Sequence, residues 1–177
     1  MTIEVHDDFL DQEDFERIST LINSAEFYWT RSPILNKFTY PKNIPSKILC
    51  EEKYNHQFVH FLYAEYKPRS RFADDILTQF IKQLSPRSIL RAKVNFNPCT
   101  ENIIEHAFHH DYEPDEYPDM KTALFYINDN DGYTLFEDRT KIETIKNRCV
   151  IMKENILHTG TNCTNDHGRI VLAINYL

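Results

Sequence analysis

From residue 90 to the end of the chain, the apolar residues stop recurring at helical spacing and begin to alternate. Ala92-Lys93-Val94-Asn95-Phe96-Asn97 alternates and is closed by Pro98. Thr122-Ala123-Leu124-Phe125-Tyr126-Ile127 is apolar and aromatic, and Asn128-Asp129-Asn130-Asp131-Gly132 behind it is a strong turn signal. Tyr133-Thr134-Leu135-Phe136, Ile142-Glu143-Thr144-Ile145, Cys149-Val150-Ile151-Met152 and the run from Arg169 to Tyr176 add further short strands. Successive strand residues face opposite ways, so such a set buries a face only against a second layer. Upstream the period is helical. Asp11 is a candidate N-cap for a helix over 11–23 carrying Phe15, Ile18, Leu21 and Ile22. A second helix is expected over 70–84, with Phe72, Ile76, Leu77, Phe80 and Ile81 on one side and Pro86 helping to stop it. Residues 24–48, with Tyr28-Trp29 and three prolines among lysines, read as a long loop or a pair of short strands. Helices followed by many short strands predict an α+β, mainly β protein: an antiparallel sandwich or barrel with the N-terminal helices packed on one sheet.

A length of 177 residues suits one domain. With only 3 glycines, and neither GxGxxG nor GxxxxGK[ST], the chain lacks the usual nucleotide cradles. A net charge of −7 disfavours nucleic acid, whose affinity comes chiefly from cations on phosphates. No basic region with an apolar run opens the sequence, and no stretch approaches the roughly 18 apolar residues of a membrane span. The expectation is a cytoplasmic protein with no membrane partner, in which Cys50, Cys99, Cys149 and Cys163 are free thiols.

The sharpest local feature is His109-His110-Asp111. In an extended segment residues i and i+2 share a face, so His109 and Asp111 can grip one metal while His110 points away. His-x-Asp by itself recurs by chance, and two ligands leave a divalent ion under-coordinated. His158, which follows the apolar strand 149–152, is the best third ligand. Two histidines and one carboxylate with open positions are the donor set of non-haem Fe(II) oxygenases. Arg169 stands eleven residues after His158 at the start of a strongly apolar strand. There Arg169, Val171, Ala173 and Asn175 share one face, and Ile170, Leu172, Ile174 and Tyr176 the other. Neither face is wholly polar, so both are expected to be covered. A buried guanidinium requires an anion, and its fork suits a carboxylate.

The order His109-x-Asp111, His158, Arg169 among short strands resembles the 2-oxoglutarate- and Fe(II)-dependent dioxygenases, and within them the prolyl 4-hydroxylase-like branch of bacterial and phage type. Phe125-Tyr126-Ile127-Asn128-Asp129, followed by Gly132-Tyr133-Thr134-Leu135-Phe136, is similar to that branch's Tyr-Leu-Asn … Gly-Gly-x-Thr-x-Phe pattern. The match covers roughly residues 90–177. It implies a double-stranded β-helix (jelly-roll) core holding the metal site, with residues 1–89 as helical support and lid segments of the same single domain. It implies His109, Asp111 and His158 as iron ligands, and Arg169 as the partner of the far carboxylate of 2-oxoglutarate. Tyr126 matches a tyrosine that also contacts the co-substrate, although it reads equally as one more core aromatic. The implied reaction consumes O₂ and 2-oxoglutarate, yields succinate and CO₂, hydroxylates a prolyl residue in a protein or peptide, and can draw on ascorbate as reductant. Asp131 stands where one glycine of the usual pair belongs, and Asn175 where many relatives carry a Trp. Asn175 would make the pocket roomier and more polar, so it joins Asn95 and Trp29 as a candidate substrate contact. Tyr28-Trp29 and the acidic stretch 112–119 are candidate lids, and Lys93, Asn95 and Asn97 candidate pocket wall. Alternatives stay open: the same chemistry on a free amino acid, small metabolite or nucleobase; a non-catalytic, cupin-like metal-binding module; or a zinc hydrolase.

Overall fold

The computed structural model describes residues 2–34, 56–113, 115–153 and 156–177. Its first half supplies β1 (Ile3–His6), α1 (Gln12–Ile22), β2 (Thr30–Pro33), β3 (His56–Ala64), β4 (Lys67–Pro68) and α2 (Ala73–Leu84). Then come β5 (Ile89–Pro98), β6 (Lys121–Tyr126), β7 (Tyr133–Phe136), β8 (Lys141–Glu143), β9 (Cys149–Met152), β10 (His158–Gly160) and β11 (Gly168–Tyr176). The strands form two antiparallel sheets. The larger runs β1-β9-β6-β11-β5-β3-β2, with β4 on β3, and the smaller runs β10-β7-β8. Isolated bridges Glu105–Thr161 and His109–His158 lay the segment before Asp111 along β10.

Local chemistry explains where the helices lie. Asp11 caps α1 by accepting the backbone N–H of Asp14 at 2.9 Å, and acidic Glu13 and Asp14 occupy the positive first turn. α2 begins at Ala73, three residues inside the expected start, because Ser70 is spent on the turn before it: its hydroxyl takes the N–H of Phe72. It ends at Ser85, whose φ of 46° turns the chain out of the helix before Pro86.

β11 organises the core. All nine of its residues are buried, and it pairs with β5 on one side and β6 on the other. Ile170, Leu172, Ile174 and Tyr176 join Phe15, Ile18 and Ile22 of α1 and Ile76, Leu77 and Phe80 of α2 in one apolar cluster. Val171 and Ala173, on the opposite face, join Leu124, Tyr126 and Val150 with Phe136 and Ile142 of the smaller sheet. The expected division of β11 into two covered faces therefore matches the packing.

The first half also builds sheet. β3, which the period argument does not single out, pairs with β5, and β2 within 24–34 pairs with β3; residues 35–48 of the expected loop lie outside the described residues. His60 of β3 is structural: its ring stacks on Phe27 at 4.0 Å and contacts Tyr28 O and Ser70 Oγ at 2.7 Å each. Cys99, Cys149 and Cys163 are free, and Cys50 lies outside the described residues. Among the described residues no helix is long and apolar enough to cross a membrane.

Phe125 is fully buried, with the Phe80 ring at 4.9 Å and those of Phe9 and Phe15 at 6.2 Å. Phe125→Ala is expected to cost about 3–5 kcal/mol in urea denaturation, through lost transfer energy and a cavity under both helices. A loss below about 1 kcal/mol would mean that the helices do not depend on this contact.

Candidate metal centre

His109, Asp111 and His158 each offer a ligand atom, and these atoms lie within 4.8 Å of one another. The bridge between His109 and His158 brings the two rings to 4.8 Å. His109 Nδ1 contacts Ala107 O at 3.2 Å and His158 Nδ1 contacts Ile156 O at 2.8 Å. A carbonyl only accepts, so each Nδ1 carries the proton and each Nε2 presents a lone pair. Burial, reinforced by neighbouring His158, pulls the His109 imidazole down to about 4, leaving it neutral and ready to ligate.

Asp111 is held from three sides. Arg91 Nη2 donates to its Oδ1 at 2.8 Å, while Asn175 Nδ2 and Thr122 Oγ1 donate to its Oδ2 at 2.9 and 3.2 Å. Burial pushes this carboxyl up, but Arg91 and the nearby histidines more than offset it and hold it well below the usual carboxylate range. Arg91 is itself oriented by Asn175, whose Oδ1 accepts from its Nε at 3.0 Å. Each carboxylate oxygen has two lone pairs, so these bonds leave capacity for a metal.

Arg169 stands at the other end of the same strand face, 3% exposed. Its Nε donates to Thr144 Oγ1 at 2.7 Å and its Nη2 to Thr134 Oγ1 at 2.9 Å, with the Tyr126 ring 5.1 Å from Cζ. No carboxylate pairs with it among the described residues. Gly160 stands so close that an added Cβ would meet Nη1 at 3.0 Å. The Tyr126 hydroxyl bonds Thr134 Oγ1 at 2.8 Å, and Tyr126 does not itself line the cavity.

One cavity of about 230 Å³ joins the three ligands to Arg169. The side of β5 carrying Arg91, Lys93, Asn95 and Asn97 forms one wall. His106 adds to the lining with a buried Nε2 that has no partner among the described residues, and Asn95 Oδ1 is likewise unpartnered. Burial, with Arg91 close by, lowers the Lys93 ammonium to about 8. His110 also borders the cavity rather than pointing away, because the 109–111 segment is a lone bridge and not a regular strand. Asn175 does not line the cavity: it is fully buried beneath Asp111. Trp29 packs on Phe27 and Phe96 at 5.2 and 5.6 Å, and Ser32, Pro33 and Ile34 reach the cavity in its place. Past Asp111, no described residue of 112–119 lines it. Sequence reasoning missed Arg91, Thr122, Thr134 and Thr144 as partners of the charged groups. Only for Arg91 is there a signal, its alternation with Lys93 and Asn95. The vacated glycine position has a role too: Asp131 accepts from Thr164 N at 2.7 Å and also from its hydroxyl, tying the β6–β7 turn to the segment before β11.

Burial, with Arg169 nearby, also pulls His106 down to about 4. An unfolded histidine titrates near 6.5, so between pH 6.5 and 4 the unfolded chain binds more protons and the fold loses stability as pH falls. At pH 5, urea denaturation of metal-free protein is expected to show a loss on the order of 2 kcal/mol for each of His106 and His109 relative to pH 7. His106→Asn should remove its share of that slope. A pH-independent stability would show these rings to be solvated.

No family model matches the chain, and no curated protein does. Solved structures do. A Pseudomonas putida prolyl-4-hydroxylase superposes with a TM-score of 0.62 at 12% identity, over 98% of this chain and 91% of that one. A Trichoplax adhaerens prolyl hydroxylase, in complex with a hypoxia inducible factor peptide fragment, gives 0.61 at 12% identity over 99% and 83%. SnoN, a non-heme alpha ketoglutarate dependent epimerase from nogalamycin biosynthesis, gives 0.59 at 13% identity over 99% and 77%. With its two antiparallel sheets and a cavity joining the His109–Asp111–His158 cluster to Arg169, the chain has the jelly-roll fold of the prolyl hydroxylases and their 2OG-Fe(II) oxygenase relatives.

Proposed function

We propose that this protein is an Fe(II)- and 2-oxoglutarate-dependent hydroxylase, with His109, Asp111 and His158 holding the metal and Arg169 the far carboxylate of 2-oxoglutarate. The observation that carries this reading is Arg169: a buried guanidinium without a carboxylate partner among the described residues, facing the same cavity as the ligand cluster. The donor set fits the metal, since two Nε2 lone pairs and one ionised carboxylate form the facial arrangement that leaves positions open. When bound, iron and co-substrate together supply the oxidising chemistry: O₂, 2-oxoglutarate and a C–H bond become succinate, CO₂ and C–OH.

The chain's own residues bind, orient and exclude water. Thr134 and Thr144 occupy two N–H groups of Arg169 and aim its fork, and Tyr126 steadies Thr134. Arg91, Thr122 and Asn175 fix the Asp111 carboxylate, while Ala107 and Ile156 fix the histidine tautomers. Asp111 is the one carboxylate among the described cavity-lining residues, so a zinc hydrolase would have to take its general base from His106 or His110. A metal-binding module without turnover has no use for a carboxylate clamp.

Two substrate readings rest on different observations. A prolyl residue in a peptide or protein is supported by the fold neighbours, one of them bound to a peptide. A free amino acid is supported by the cations of the cavity wall and by an acceptor there that has no partner among the described residues.

The test is iron-dependent conversion of 2-oxoglutarate to succinate under air, with ascorbate present. His158→Ala is expected to be inactive, and Arg169→Ala to raise the KM for 2-oxoglutarate about thirtyfold or more. Iron-loaded wild type that neither binds nor consumes 2-oxoglutarate would rule the reading out. Asn175→Ala is expected to weaken metal binding about 10–100-fold in a metal titration while the protein stays folded, as for other groups that orient a metal ligand. Unchanged affinity would leave Asn175 a packing residue.

A further inference from the structure

The cavity wall carries more positive charge than an iron and 2-oxoglutarate site needs. Among its described lining residues are three cations, Arg91, Lys93 and Arg169, against one carboxylate, Asp111. Arg91 is bound to Asp111. On the reading above, Arg169 is matched by the co-substrate. A divalent metal and a dianionic co-substrate cancel in net charge, so what distinguishes the three cations is their direct partners. Lys93 is what remains. Its ammonium forms no hydrogen bond or ion pair with any described residue, although a partly buried ammonium outside water calls for an anion.

Beside it, two residues along the same face of β5, Asn95 holds a buried Oδ1 that accepts from no described residue. A buried acceptor without a donor is costly and rare, so it points to a donor that arrives from outside. A cation and a free acceptor thus stand side by side on one strand face. The register sets them in the middle of the cavity: Lys93 lies opposite Ala173 and Asn95 opposite Val171, between the Arg169 level and the Asn175 level of β11. Ala173 and Val171 offer no polar atom there, so the facing strand cannot satisfy either group. The volume of about 230 Å³ is below that of pockets for drug-sized ligands and suits small molecules.

We propose that Lys93 and Asn95 form the head-group subsite of the substrate, and that the substrate is a free α-amino acid. Lys93 receives the carboxylate and Asn95 Oδ1 the ammonium or imino N–H. This rests on the iron and 2-oxoglutarate reading of the site and selects its substrate class. A peptidyl residue fits worse, because its amide carbonyl offers Lys93 no charge.

The test is calorimetric binding, without oxygen, to protein loaded with Fe(II) and saturated with 2-oxoglutarate. The probes are the twenty free amino acids, their C-terminal amides, and a proline-containing peptide. At least one free amino acid is expected to bind, with its amide weaker by about thirtyfold or more. Lys93→Met should abolish that preference for acid over amide, and Lys93→Arg should keep it. Both variants should bind 2-oxoglutarate within about threefold of wild type, which also reports that they are folded. Asn95→Leu should weaken the amino acid and leave 2-oxoglutarate alone. The proposal is overturned if no amino acid binds, if amides or the peptide bind as well as the acid, or if Lys93→Met loses 2-oxoglutarate as Arg169→Ala does. In that last case Lys93 belongs to the co-substrate clamp. Wild type that fails to take up 2-oxoglutarate overturns the site reading itself, a different result from any of these.

Discussion

The antiparallel pairing of β11 between β5 and β6 is the constraint on which the rest of the molecule depends. A strand hydrogen-bonded on both edges and covered on both faces has no freedom of register, since a slip of one residue would exchange its faces. Here such a slip would drive Arg169 and Asn175 toward the helices and expose Ile170, Leu172 and Ile174 to the cavity. The apolar cluster under α1 and α2 thus aligns the polar groups on the opposite side. Because β5 is locked to β11, Arg91, Lys93, Asn95 and Asn97 fall into line opposite Asn175, Ala173, Val171 and Arg169. Burial on one side of the sheet becomes positional accuracy on the other.

The polar side is built on compensation at one end and on anticipation at the other. Asp111 is a buried carboxylate whose two oxygens already take three hydrogen bonds, one from a guanidinium. Burying an unpaired carboxylate would cost several kcal/mol, so this network is what allows Asp111 to stay ionised beside the cavity. Arg169 has hydroxyl and carbonyl partners and an aromatic neighbour, but no counter-charge among the described residues. Hydroxyls aim the fork without neutralising it. The cost of burying an uncompensated cation falls on the folded protein and is offset when an anion binds.

The fold neighbours include both prolyl hydroxylases and an epimerase, so the jelly roll does not by itself decide what is oxidised. On the proposed reading, that choice falls to the inward positions of β5. Asn175 spans Arg91 and Asp111 at once, which a Trp, with a single donor and no acceptor, could not do. With Asn175 and Arg91 engaged by Asp111, Lys93 and Asn95 are left to face the cavity.

The extent and type of most elements were legible in the sequence because they follow from period: helical spacing for α1 and α2, alternation for β5 and β11, an Asn/Asp/Gly turn before β7. That His109, Asp111 and His158 would cluster near a buried Arg169 was legible because their residue types are chemically restrictive at that order and spacing. β3 was not, since its run of mixed aromatic and polar residues matches neither period cleanly and its strand identity comes from pairing with β5. The role of Asn175 was also beyond reach. Alternation placed it correctly on the inward face but could not say whether that face meets the cavity or the back of Asp111. Thr122, Thr134 and Thr144 carry no pattern of their own, because a hydroxyl acquires a role only from what stands within 3 Å or so of it. Period and residue type are properties of neighbours along the chain, and these determine faces and candidate ligands. Which buried charge is paired and which is left free depends on groups 11 to 84 residues apart, and only the tertiary structure decides that.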